Sequence, residues 1–426
     1  MRVSTSQIFD SGARGIGRNQ FDLFKLQNQM ATGRRVLTPE DDPIASAQAL
    51  VLTQTKAVSA QFLENQGDAK GKLGTADVQL SALTDLLQNV RERVVQGGNT
   101  TLTDIDRRHI ANELEARFSE LMGVANAQDG AGNYLFSGYQ GAVKPFSATS
   151  TGASYAGDDG QRLLQVDASR QLPTNVSGRE LFELIPNGNG TFTTATGGNT
   201  AGGINQGSGV VDQGSVNNQG LWNQALAAGF GDVEIRFSVN AGVTQYDLYD
   251  VSSATLISAA PTNFTPGQAI SLQKTTAPAQ DFGVSVSIEG NPAAGDRFMV
   301  APSSSQSIFT TLRNTINALT QGIGNVASGN STTEFVNDLG GNLLNIDQAL
   351  ENITGMRATV GSHLKELDSL GNAGEDLQLQ YASSLSELQD LDYTKAITDM
   401  ARKQLQLEAA QQSFKQTSQL SLFSIL

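Results

Sequence analysis

Histidine and cysteine, the side chains that most often serve as metal ligands and nucleophile–base partners, are scarce in this chain of 426 residues. Cysteine is absent and histidine occurs only at His109 and His363, which excludes the usual zinc sites. Neither an HExxH helix nor a G-x-S-x-G turn occurs. Asp158-Asp159-Gly160 lacks the spacing of a calcium-binding loop and predicts a surface turn instead. We therefore expect no enzyme activity, no cofactor and no metal site.

Charge and hydropathy argue against two classes of partner. The formal net charge is −14 at pH 7, whereas a nucleic-acid-binding protein needs a basic face that neutralises phosphates. No apolar run approaches the length of a membrane span, and the first residues lack the apolar segment of a cleaved secretory signal. We expect neither nucleic acid nor a membrane as partner. A cytoplasmic protein fits these features, and so does a protein exported without a cleaved signal.

Apolar spacing divides the chain into helical ends and a β-rich middle. Residues 1–138 and those from Ser305 onward show helical periodicity, with a last helix from about Leu364 to Phe423. In the middle, apolar and polar residues alternate, as in half-buried strands. Residues 186–220 are so rich in Gly and Asn that we expect loop or weak hairpins there. The predicted strands lie at 162–167, 233–239, 244–251, 269–272, 284–288 and 297–300.

Capping residues predict a bend after the first helix. Thr38 and Asp41 have the spacing of a capping box, and Asp42-Pro43 offers a second helix start immediately afterwards. Two helix starts this close together predict a bend or short loop rather than one rod. The helical stretches between residues 43 and 130 are interpreted as core helices, with a break or an end near Gly67.

Both terminal segments carry an apolar stripe with no third element to cover it. A 3-4 repeat that starts at Phe9 is apolar at six of its nine positions. An uncovered stripe is an interaction surface or an aggregation hazard, so we expect the segments to pack on copies of themselves or on close relatives. The residues expected in this assembly interface are Phe9, Ile16, Leu23, Leu26, Met30, Leu37, Tyr393, Ile397, Met400, Leu407 and Phe414.

Motifs at opposite ends of the chain resemble one family. Residues 26–50, LQNQMATGRRVLTPEDDPIASAQAL, resemble the N-terminal signature of the flagellin-like family, and residues 392–426 resemble its C-terminal region. The string Asn133-Tyr-Leu-Phe-Ser-Gly-Tyr139, with Pro145-Phe146 soon after, is similar to the hook–filament junction branch of that family, the third hook-associated proteins. The resemblance covers residues 1–185 and 305–426, whereas residues 186–304 match no motif.

The resemblance implies an α+β, flagellin-like fold. Both termini would form an antiparallel, coiled-coil inner region, with β-rich outer domains inserted between them. It also implies export through the flagellar secretion apparatus to the extracellular flagellum. The implied partners are copies of the chain, the first hook-associated protein, flagellin, and a cytoplasmic export chaperone that masks the C-terminal helix. The implied role is structural, as a junction between hook and filament that motility requires.

Changes in composition and apolar periodicity along the sequence predict four regions. Residues 1–42 with 390–426 form the terminal coiled-coil assembly region, and residues 43–138 with 305–389 form a helical rod domain. Residues 139–231 form a β-rich outer domain with a Gly/Asn-rich loop, and residues 232–304 form an additional outer β domain.

Three alternatives remain open from the sequence. Flagellin, the bulk filament subunit, shares both terminal signatures. An enzyme displayed through residues 186–304 would need catalytic clusters there, and that segment contains no His and no Cys. A cytoplasmic coiled-coil scaffold would explain the helices but not the β-rich middle.

Overall fold

A computed structural model describes residues 5–321, 323 and 331–419 of the chain. Helices at both ends and strands between them confirm the α+β class. The predicted extension of the last helix to Phe423 lies partly outside the described residues. The helices are α1 (Thr5–Thr32), α2 (Pro43–Gly97), α3 (Asp104–Ala125), α4 (Gly178–Phe182), α5 (Gln219–Ala227), α6 (Ile308–Gln321), α7 (Thr332–Gln389) and α8 (Tyr393–Gln419).

The strands occupy the middle of the chain. They are β1 (Phe146–Thr149), β2 (Gly152–Tyr155), β3 (Leu163–Asp167), β4 (Arg170–Pro173), β5 (Ile185–Pro186), β6 (Phe192–Asn199), β7 (Val210–Val211), β8 (Ser215–Val216), β9 (Val233–Asn240), β10 (Val243–Asp250), β11 (Thr255–Leu256), β12 (Thr262–Asn263), β13 (Ala269–Lys274), β14 (Gln280–Glu289), β15 (Asp296–Pro302) and β16 (Ser305–Gln306). The strands predicted at 162–167 and between 233 and 300 are confirmed as β3, β9, β10, β13, β14 and β15.

The chain forms two compact units, and the terminal unit holds both ends. Its described residues are 5–67, 165–170 and 368–419. Here α1 packs on α8, and the first part of α2 packs on the last part of α7. The Gln378 side-chain amide donates to the carbonyl of Lys56 at 2.8 Å. A Cβ on Gly374 would lie 2.8 Å from Leu63 Cδ2, so the Leu63 side chain packs directly on the Gly374 backbone.

The central unit comprises the described parts of residues 68–164 and 171–367. Its helical part has an aromatic core: Phe118 and Phe309 meet edge to face at 6.1 Å between ring centroids, and Phe136 meets Phe182 in the same way at 5.5 Å. Phe136 comes from the Asn133–Tyr139 string, which is therefore a core-forming motif. The next turn is fixed by Gly138, whose φ is +69° and whose carbonyl accepts from Arg162 Nε at 3.0 Å.

The outer strands build two sheets around one core. One sheet has the order β11-β10-β9-β15-β6, with β12 also paired to β10, and the other has the order β13-β14-β7, with β8 also on β14. The large buried side chains that they share with α5 are Phe192, Trp222, Phe237, Phe282 and Phe298.

This shared core corrects the predicted boundary between residues 231 and 232. Phe192 and Trp222 precede the boundary, yet their rings pack together at 5.9 Å inside the core that β9 to β15 complete. β6 pairs with β15 along seven residue pairs, from Asp296↔Asn199 to Pro302↔Phe192. The prediction of a loop over 186–220 is wrong for the same reason, because β6 and the short β7 and β8 are recruited by strands far along the chain. Gly and Asn content gave no sign of this pairing.

Helix boundaries also differ in two places. The break or end expected near Gly67 is not observed, because Pro43–Gly97 forms the single helix α2. The expected last helix is broken at residues 390–392 into α7 and α8.

Candidate assembly surface

The two terminal motifs meet in one joint of the terminal unit. The backbone N–H of Arg35 donates to the carbonyl of Gln389 at 2.7 Å, and that of Leu391 donates to the carbonyl of Gly33 at 2.9 Å. Arg34 and Asp390 form the antiparallel bridge between these bonds. The bend after α1 and the break before α8 therefore support each other, and α1 and α8 run antiparallel from this joint.

Local chemistry explains why both helices stop at the joint. Gly33 has φ +70°, a left-handed conformation that favours glycine at a helix end. The Tyr393 hydroxyl donates to the carbonyl of Met30 at 3.2 Å, which satisfies a carbonyl in the last turn of α1. Asp392 caps the new helix, since its carboxylate accepts from the N–H of Lys395 at 3.1 Å.

Charged side chains hold the bend between α1 and α2. The Lys25 ammonium pairs with the Asp41 carboxylate, which also accepts from the N–H groups of Thr38 and Leu37. The Lys25 hydrogen bond, aided by these backbone N–H groups, lowers the pKa of Asp41 to about 2. Asp41 thus stabilises a turn, rather than the helix start that the capping-box spacing predicted. Asp42 confirms its predicted capping role by accepting from the N–H of Ala45 at 3.0 Å.

Most of the residues predicted for the assembly interface are partly covered within the chain. Phe9 and Phe414 pack edge to face, and Lys403 on α8 pairs with Asp22 on α1 at 2.7 Å. The end of this helix pair encloses a groove of about 320 Å³ lined by Phe9, Gly12, Ile16 and Phe414. The partly buried members are Phe9, Ile16, Leu23, Leu26, Met30, Met400, Leu407 and Phe414, and the exposed members are Leu37, Tyr393 and Ile397.

Three further apolar side chains of the helix pair face solvent, and none of them is among the residues expected in the assembly interface. Phe21, Phe24 and Leu405 lie outside the positions chosen from the sequence, yet they are as exposed as Tyr393 and Ile397. The sequence did contain a sign of Phe21 and Phe24, because two phenylalanines outside the apolar repeat of α1 are unusual among the polar residues there. We call Phe21, Phe24, Tyr393, Ile397 and Leu405 the exposed terminal set, and they are 50% to 68% exposed.

Chemistry other than assembly finds little support in the described residues. His109 is exposed on α3, and His363 is partly buried on α7. Among the described residues no cluster of His, Cys, Asp and Glu could hold a metal ion. Asp158 accepts from the N–H groups of Tyr139 and Gly160, both at 2.8 Å, so its carboxylate holds the local backbone in place. Across the described parts of the chain, none of the helices is both long and apolar enough to cross a membrane.

Comparison with known proteins agrees with the two terminal motifs. The chain is 37% identical over 185 residues to flagellar hook-associated protein 3 of Salmonella typhimurium; the alignment spans 43% of this chain and 58% of that protein. The fold is similar to that of the flagellar junction protein FlgL from Legionella pneumophila, with a TM-score of 0.66, 27% identity and coverage of 80% of this chain and 100% of that one. A flagellin of Listeria monocytogenes is 26% identical over 174 residues, which are 39% of this chain and 56% of that flagellin.

Family assignment rests on the two ends together. The bacterial flagellin N-terminal helical region matches residues 3–141, and the bacterial flagellin C-terminal helical region matches residues 343–426. These matches cover about half of the chain, and they contain α1, α2, α3 and α8 as well as the joint between Arg35 and Gln389. The chain therefore belongs to the flagellin-like family of flagellar proteins.

Proposed function

We propose that this chain is a structural subunit of the junction between hook and filament in the extracellular bacterial flagellum. The observation that carries the proposal is the exposed terminal set, which leaves five large apolar side chains in water on the helix pair built from both chain ends. Such a surface is costly unless a partner covers it. The names of the Salmonella and Legionella relatives favour the junction over the filament body, and the Salmonella protein is 37% identical whereas the Listeria flagellin is 26% identical.

The partners follow from the position of a junction. Copies of this chain would pack side by side, with the first hook-associated protein on one side and flagellin on the other. Before export, a cytoplasmic chaperone would cover the apolar residues of α8, because Ile397 and Leu405 are exposed in the free chain. The work of the protein is then mechanical and involves no catalysis.

Immunogold labelling of intact flagella tests this proposal against its rival. Antibody raised against residues 233–302 should label a narrow band between hook and filament, and deletion of the gene should abolish swimming while hooks are still made. Label along the whole filament would show a flagellin instead. Flagella without any label would refute both assignments.

A further inference from the structure

The first part of α2 is apolar on two separate faces. Its inner face holds Ala45 and Ala49, which are buried, and continues to Leu63 against Gly374 of α7. Its outer face holds Ile44, Val51 and Val58, which follow one another at intervals of seven residues. With 3.6 residues per turn the mean directions of the two faces lie about 140° apart. An amphipathic helix of a monomeric protein would carry polar residues on the face away from its core.

The outer face is exposed and carries no charge. Ile44, Leu50, Val51 and Val58 are 48% to 72% exposed. Lys56 is the single charged residue between 43 and 63, and it is partly buried. The remaining outer positions are small or uncharged, namely Ala47, Gln54, Ala57 and Gln61, and all are exposed. We call this face the α2 outer stripe. The interpretation of residues 43–67 as a plain core helix is therefore incomplete.

The spacing of the α2 outer stripe indicates what should cover it. A row of apolar residues at intervals of seven is one of the two rows that another α-helix covers in a coiled coil. The positions three residues on are Ala47, Gln54 and Gln61, which are uncharged. The absence of charge argues against a partner recognised through ion pairs. A helical partner with its own uncovered apolar side chains fits better, and the exposed terminal set of the same chain supplies such side chains.

A contact between two different surfaces of identical chains builds rings or filaments. We propose that the α2 outer stripe of one copy receives the exposed terminal set of the next copy, so that Val51 lies near Phe24 of a neighbour. This inference deepens the proposed function and rests on it. It adds a lateral contact on α2 to the assembly surface of α1 and α8.

The first test asks whether the stripe is needed for incorporation. Val51→Asp is compared with Val78→Asp, a matched control at a similarly exposed valine (63%) of the same helix in the central unit. Both soluble variants should keep the circular dichroism and melting temperature of the wild type. Val51→Asp should be lost from isolated flagella, and Val78→Asp should be retained. Normal incorporation of Val51→Asp would overturn the inference, as would equal loss of both variants.

The second test uses the absence of cysteine from the chain. Chains with Val51→Cys and chains with Phe24→Cys, carrying different tags, are expressed together, and isolated flagella are treated with a short bis-maleimide. A cross-linked heterodimer should appear, and the pair Val78→Cys with Phe24→Cys should give none. If both chains are present in flagella without a heterodimer, the inference is wrong while the proposed function stands. If the tagged wild-type chain is itself missing from flagella, the proposed function fails, and this inference fails with it.

Discussion

The rings of Phe9 and Phe414 meet edge to face, with their centroids 5.6 Å apart, and the Phe414 ring lies against Gly12. The first helix and the last helix are thus a pair within one chain. Each covers part of the other's apolar stripe, and the exposed terminal set stays uncovered within the chain. On the proposed function, folding and assembly would use different faces of the same two helices.

Gly12 should be sensitive to a single added methyl group. A Cβ there would lie 2.7 Å from Phe414 Cδ2, whereas a Cβ on Gly17 would meet nothing within 4 Å. Alanine in a helix is otherwise favoured over glycine by about 1 kcal/mol. We therefore expect Gly17→Ala to stabilise the α1–α8 pair. Gly12→Ala should not stabilise it, because the added methyl group would clash with the Phe414 ring. Hydrogen exchange of α1 and α8 amides would measure the difference, and equal protection in both variants would contradict the packing.

Leu407 and Ile397 should separate folding from assembly. Leu407 is partly buried on the helix pair, whereas Ile397 is 56% exposed. A carboxylate at Leu407 would be partly desolvated, with a cost of about 1–3 kcal/mol, so Leu407→Asp should loosen the pair in the free chain. Ile397→Asp should leave the free chain intact and abolish swimming. Hydrogen-exchange rates of the two purified variants measure how tightly the helix pair is packed, and a motility assay measures swimming. If Ile397→Asp loosens the helix pair of the free chain, the assignment of Ile397 to the solvent-facing side is wrong.

Asp41 should make the bend before α2 dependent on pH. Its pKa is lowered from 3.8 to about 2, chiefly by the hydrogen bond with Lys25. A lowered pKa stabilises the folded form above the unfolded value, and this contribution is lost as pH falls from about 4 to 2. With screening by solvent it is on the order of 1 kcal/mol at neutral pH.

The Asp41→Asn variant tests this contribution. Its free energy of unfolding should lie below that of the wild type at pH 7, and the two should converge near pH 2. Asp10→Asn, on the exposed side of α1, serves as the control and should follow the wild type throughout. A constant gap between Asp41→Asn and wild type across the whole titration would rule out the linkage.

Two deletions should show that the outer strands form one folded unit. Removing residues 232–302 would strip partners from Phe192 and Trp222, which share their core. Removing 188–303 takes the whole unit, and its ends are adjacent because the N–H of Asn187 donates to the carbonyl of Ser304 at 2.9 Å. The larger deletion, closed with a short linker, should keep a cooperative helical transition. The smaller one should bind a hydrophobic dye and aggregate. The reverse outcome would restore the boundary at 231/232.

The sequence was informative wherever the deciding contacts are local. Asp42-Pro43 predicted the start of α2, which the structure caps through the bond from Ala45 to Asp42, and the residue pattern between 233 and 300 predicted five strands. The sequence was uninformative where the structure of a segment depends on contacts with residues far along the chain. The pairing of β6 with β15 depends on residues about a hundred positions apart, and the joint of Arg35 with Gln389 links opposite ends of the chain. Apolar spacing located the terminal stripes. It could not tell which of their residues pack between α1 and α8 and which face solvent.

Cysteine labelling tests the central claim most directly, namely that the exposed terminal set is covered on assembly. Ile397→Cys introduces a lone thiol, and Val239→Cys in the outer unit, where the native side chain is also exposed, serves as the control. Both thiols should react with a maleimide in the free chain. In isolated flagella the Val239→Cys thiol should still react, and the Ile397→Cys thiol should be protected. Equal labelling of the Ile397→Cys thiol in the free chain and in flagella that contain it would contradict the assignment of this surface.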